Sequence, residues 1–297
     1  MKQGNFQTTL LLIAGFVSFS GGADGVLAAE PKTATSKSEG RDKFEIQIEK
    51  LLDKSRTAAV REKLNHLPTD ASSARQRKIW LACCDEVDRR YEEALDGFKQ
   101  SGDLSRQPAF VLRSAANTNA RMQEYKEAIR LFELIKAGER TFADYDMWGD
   151  CDGALGKIEQ ATENYQCAAK LLPARSGGVL TKAASFYLKD GKPQVALKLV
   201  EEALARGGAD YVPALMGKTM CLERLGRWSE AAQSATRVIE LTKPGAAREE
   251  GKAQLTLSAG IAERIKCYDK LGKKDLAAAD RKWQEELAKK VSKDIGI

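Results

Sequence analysis

One alanine returns along this chain at a nearly constant interval, and that interval limits the fold more than any other feature. Ala94, Ala128, Ala161, Ala196 and Ala231 stand 34, 33, 35 and 35 residues apart, and Ala277 follows 46 residues after Ala231. Four residues beyond the first four of these come Phe98, Phe132, Tyr165 and Val200. The turn signals Gly156-Lys157, Gly191-Lys192, Gly226-Arg227 and Gly272-Lys273 precede the later alanines. In the first two units polar residues replace that glycine. Tyr91 and Tyr125 keep the aromatic that follows it, as does Trp228 in the fifth. A unit of this length cannot bury its apolar face alone, so neighbours stack and the core runs along the array.

The third unit, residues 142–173, shows what each element is. Phe142, Tyr145 and Trp148 recur at three-residue steps, which puts them on one face of a helix carrying also Gly149 and Asp152. After the Gly156 turn, Ile158, Ala161, Tyr165, Ala168, Leu171 and Leu172 mark a second helix, and Pro173 ends it because it lacks the N–H to continue. Gly149 and Ala161 are small where the two helices must approach, with Tyr165 filling the space beside them. No period-two run signals a strand. This phrase at this period resembles the tetratricopeptide repeat (TPR) family over residues 75–292, strongly over 109–244 and less so at both ends. The resemblance implies an all-α, right-handed solenoid of about six stacked helix-turn-helix repeats. It also implies a concave groove, lined by the first helices, that holds a protein or peptide partner.

The flanks differ from the repeats. Residues 8–19 form an apolar run of 12, short of the roughly 20 a bilayer span needs. Val26, Leu27 and Ala28 then fit a cleavage site before Ala29. Residues 1–28 read as a secretory signal peptide, with an uncleaved anchor as the alternative. A leader of this style suggests a bacterial envelope, so the chain is expected to be exported, periplasmic or extracellular, with no membrane span after cleavage. Residues 29–41 are a polar linker. Residues 42–74 carry Phe44, Ile48, Leu51, Leu52, Ala59, Val60 and Leu64 at helical spacing and read as capping helices. The 12 or so residues inserted after Ala231 suit a lengthened helix near 246–271, with a loop as the alternative. Pro244-Gly245 is expected to close the fifth unit, residues 273–292 to form a terminal cap, and 293–297 a tail.

The composition, 43% hydrophobic and 30% charged, is that of a soluble protein. The net charge is +6. Lys282, Lys289, Lys290 and Lys293 make the last helix basic, as a solvated face or a contact to an anionic surface. No aromatic interleaving points to nucleic acid. Of the six cysteines, Cys84, Cys151, Cys221 and Cys267 take equivalent places in four first helices, where the family usually has alanine. Units stacked about 10 Å apart hold such positions beyond disulfide reach. The six are expected as free thiols, although export would permit bridges. No Cys-x-x-Cys pair supports a metal site, and His66, the single histidine, stands at a helix end.

No phosphate loop or nucleophile elbow appears, so neither a catalytic set nor a cofactor is expected, and the chain is read as no enzyme. Asp146 and Asp150 are four apart and share a helical face; they could hold a cation, do acid/base work, or solvate the helix. Transferring the family's groove places selects Phe110, Arg113, Asn117 and Arg121 in the second unit and Asp146 and Asp150 in the third. It selects Ser185 and Lys189 in the fourth and Met220 and Glu223 in the fifth. Arg113 and Arg121 could grip a carboxylate, and Asn117 a peptide backbone. Some members clamp a C-terminal carboxylate with a Lys/Asn set, but Ala143 and Met147 break that set here. The expected role is an exported scaffold holding a protein or peptide in its groove. The alternative is an assembly subunit of an envelope complex that associates through its end helices.

Overall fold

The computed structural model describes residues 43–247 and 251–295. The expected signal peptide and linker lie outside the described residues. Residues 48–297 form one unit; the first helix starts before it, at Lys43. Among the described residues all regular secondary structure is helical. The first two helices are α1 (Lys43–Leu52) and α2 (Thr57–Asn65); from there the helices pair, α3 (Ala71–Val87) with α4 (Tyr91–Gln100) and α5 (Ala109–Arg121) with α6 (Tyr125–Leu134). They continue with α7 (Phe142–Ala154) and α8 (Ile158–Leu171), α9 (Ser176–Lys189) and α10 (Pro193–Gly207), α11 (Val212–Arg224) and α12 (Trp228–Ala247), and α13 (Gly251–Lys270) and α14 (Lys274–Ile295).

The same turn joins the helices of each pair, and also α1 to α2. The N–H groups of Arg56, Arg90, Glu124, Lys157, Lys192, Arg227 and Lys273 each donate to the carbonyl five residues back, at 2.7–2.9 Å. The residue before each donor is left-handed: Ser55, Arg89, Gln123, Gly156, Gly191, Gly226 and Gly272, with φ from +52° to +76°. This closing bond with a left-handed residue satisfies carbonyls that the helix end would leave bare. Each left-handed residue stands five before Val60 or one of the periodic alanines, so α1 and α2 repeat the same phrase.

The periodic residues are the core. Val60, Ala94, Ala128, Ala161, Ala196, Ala231 and Ala277 are all fully buried, as are Phe132, Tyr165 and Val200. Gly149 and Gly153 lie where α7 meets aromatic rings. A Cβ on Gly149 would fall 2.7 Å from the Tyr165 ring, and one on Gly153 2.2 Å from the Phe186 ring. Tyr165 and Phe186 stack at 6.4 Å between centroids, joining the third unit to the fourth.

The insertion after Ala231 is divided between two helices. Pro244 lies inside α12 and does not close the fifth unit, because the helix runs on to Ala247. Pro244 and Glu240 are both exposed, so water can serve the carbonyl that loses its amide partner. The first helix α11 begins 19 residues before Ala231, whereas α13 begins 26 before Ala277. The surplus is two turns, or about 10 Å of extra helix. Residues 248–250, between α12 and α13, lie outside the described residues.

Candidate functional site

The first helices α3, α5, α7, α9, α11 and α13 share a register. Counting 15 and 11 residues back from each periodic alanine gives Ile79 and Cys83, Arg113 and Asn117, Asp146 and Asp150, Thr181 and Ser185, Met216 and Met220, and Ala262 and Lys266. These pairs lie on one stripe of each helix and form a single face across the array. Ile79, Cys83, Thr181 and Met216 are buried; the other members are partly or fully open.

The charged members of this face are tied from one repeat to the next. The Arg113 fork donates to both carboxylate oxygens of Asp144, at 2.7 and 2.9 Å, and to the Glu139 carbonyl at 3.0 Å. Asp144 is 1% exposed and also closes the capping box of α7, accepting from the Thr141 N–H while the Thr141 hydroxyl accepts from its own. Sequence reasoning gave Arg113 to a partner's carboxylate; the structure gives its fork to a carboxylate of this chain. The Thr-x-x-Asp spacing of a capping box was the signal that could have found Asp144. Glu86, near the end of α3, is tied to the next unit by a hydroxyl instead. The Ser114 hydroxyl donates to it at 3.3 Å, and burial raises its pKa against the pull of that hydroxyl, Arg121 and Asn117.

Asp146 and Asp150 are brought together, but Lys182 of the next unit holds them. Its ammonium donates to Asp146 at 2.6 Å and to Asp150 at 3.0 Å, and the Tyr165 hydroxyl donates to Asp150 at 2.7 Å. Lys182 thus sits where a bridging cation would sit. Burial raises the Asp146 carboxyl, while Lys182 lowers it and Asp150 raises it further. Among the described residues no group of three or more His, Cys, Asp or Glu side chains is placed to hold a metal.

Glu223 is the most buried carboxylate among the sequence-selected residues, at 7% exposure. It accepts from Lys266 of α13. Burial pushes its carboxyl up to about 8; the neighbouring Glu263 adds to this and Lys266 opposes it. Phe110 packs on Trp80, with ring centroids 6.1 Å apart. The Ser185 hydroxyl donates to the Lys182 carbonyl of its own helix at 2.7 Å. Arg121 and Lys189 are exposed at the ends of α5 and α9, and Met220 is half-buried on α11. The Lys189 ammonium stands 5.7 Å from the Phe186 ring centre, and partial burial lowers its pKa. His66 is exposed and ends α2.

Cys83 is a buried member of this face; Cys84, Cys151, Cys221 and Cys267 stand one register position further along their first helices, and Cys167 lies on α8. All six are unpaired thiols, and five are buried. Burial pushes Cys84, Cys151, Cys221 and Cys267 up to about 12, and Cys83 well above its usual value. They behave as small apolar side chains.

The geometry is that of a TPR solenoid. The C-terminal part of a TPR repeat-containing protein from Cytophaga hutchinsonii superposes with a TM-score of 0.61 at 16% identity, covering 72% of this chain and 80% of that one. A crystal structure of MamA protein superposes with a TM-score of 0.52 at 14% identity, covering 59% and 96%. At such identities the likeness is one of fold. No family model and no curated protein sequence matches the chain. Among the described residues no helix is long and apolar enough to cross a membrane.

Proposed function

We propose that the protein is a non-catalytic scaffold that binds a protein or peptide partner on the face of its first helices. One observation carries this reading. Positions in strict register over successive repeats present half-open side chains of mixed chemistry, such as Asn117, Ser185 and Met220, on one continuous surface. A fixed scaffold with variable residues at fixed offsets is what recognition of an extended partner requires. The polar groups there are bound to each other rather than converging on a point where a bond could be broken.

A photo-crosslinking amino acid at Ser185 or Met220 tests this, with Glu163 on the exposed side of α8 as control. The expected result is a discrete adduct from the two face positions alone. Equal adducts from Glu163 would overturn the reading. We also propose that residues 1–28 are a cleaved export leader and that the mature chain works in a bacterial envelope. Edman sequencing of the purified native protein should begin at Ala29.

A further inference from the structure

The second half of the face has a chemistry of its own. Seven residues before Ala196, Ala231 and Ala277 stand Lys189, Arg224 and Lys270, one helical turn beyond Ser185, Met220 and Lys266 on the same stripes. All three are exposed, and among the described residues none forms an ion pair. Two are steadied by rings: Lys189 over Phe186, and Lys270 with its ammonium 5.8 Å from the Trp228 ring centre. They form a row of cations along one rim, where the first helices end.

The opposite rim is built by the extra turns of α13. Leu255 lies there, three residues before the place where a first helix of ordinary length would start, and it is 76% exposed. Spacings of four, three, four and four join it through Ala259, Ala262 and Lys266 to Lys270, so it faces the same way as the row. Between the rims Met220 and Ala262 are uncharged, and the Lys266 ammonium donates to both Glu223 and Glu263. The 15 residue steps from Leu255 to Lys270 span about 22 Å, which admits a helix of about 10–12 Å diameter with contact on both sides.

We propose that the face of α9, α11 and α13 docks an amphipathic helix of a partner protein, its apolar side on Met220 and Leu255 and an acidic edge on Lys189, Arg224 and Lys270. The proposal rests on the first-helix face being the binding face, and it adds the chemical class of what binds. Charge complementarity sets the sign: three exposed cations that form no ion pair among the described residues favour an acidic edge, and the exposed leucine favours an apolar one.

The test is fluorescence anisotropy of the full chain with a labelled synthetic helix of about 18 residues, leucines on one side and glutamates on the other. A second helix carries lysines in place of the glutamates. The glutamate helix should bind at least about tenfold more tightly at low salt, with the gap narrowing as salt is added. The K189E/R224E/K270E variant should reverse the preference, and Leu255→Asp should weaken binding of the glutamate helix. Circular dichroism should show both variants folded, since all four residues are exposed. Equal binding of the two helices, or a preference unchanged in the triple variant, would overturn the proposal. If adducts at Ser185 persist in that case, the binding-face reading stands and only the acidic helix falls. A two-chain mass by light scattering, lost on Leu255→Asp, would assign the face to a second copy and also overturn it.

Discussion

At Gln123 the backbone takes φ +64° and at Arg89 +62°, in the place where later units have glycine. A left-handed residue with a Cβ costs about 1–2 kcal/mol, while glycine adopts the conformation freely. Gln123→Gly should therefore raise stability by about 1 kcal/mol in denaturant titration, and Gly156→Ala should lower it by a similar amount. Gly153 is constrained by space instead. Gly153→Ala puts a methyl group into the Phe186 ring and should cost about 1–3 kcal/mol, with Phe186→Leu restoring some of the loss. Glu223 adds a pH dependence. Its folded pKa, about 8, lies above the ordinary 4.5, so the fold binds its proton more tightly than the unfolded chain does. The stabilisation is complete below about pH 4.5 and fades as pH rises towards 8. Glu223→Gln should flatten the fall in melting temperature over that window; an unchanged slope would assign it to other carboxylates.

At the scale of the helix, charge ties neighbouring first helices together. Arg113 joins α5 to the buried Asp144 of α7, so truncating it strands a buried carboxylate. Arg113→Ala should cost about 3 kcal/mol of stability. Any loss of partner binding in that variant should disappear once the folded fraction is accounted for. Sequence reasoning could place Arg113 on the first-helix face because the register follows from the period. It could not say that the fork was already occupied, because Asp144 lies 31 residues away and only the stacking of units brings the two together. The same holds for Lys182 between Asp146 and Asp150, and for Lys266 on Glu223. Each tie links residues about one repeat or more apart.

For the whole molecule, stacking makes stability a sum over units and their interfaces, so the ends open more readily than the middle. The buried cysteines report on this at equivalent places in four units. Pulse labelling with a maleimide under native conditions, read by mass spectrometry, should modify Cys267 in the last pair before Cys151 in the middle. Labelling of Cys151 as fast as Cys267 would mean that the array opens as one block.

Alanines at a fixed interval, each followed four places on by a bulky partner, already determine paired helices that stack. The cause is local: small and large residues at helical spacing decide which faces can meet, and the period decides that they meet in the same way each time. What the tertiary structure decided is which side chains of the exposed face remain available. Arg113, Asp146, Asp150 and Glu223 are taken up by neighbouring repeats, while Lys189, Arg224, Lys270 and Leu255 are left at the rims. Such pairings depend on distances across stacked units, and those distances exist only once the helices have packed.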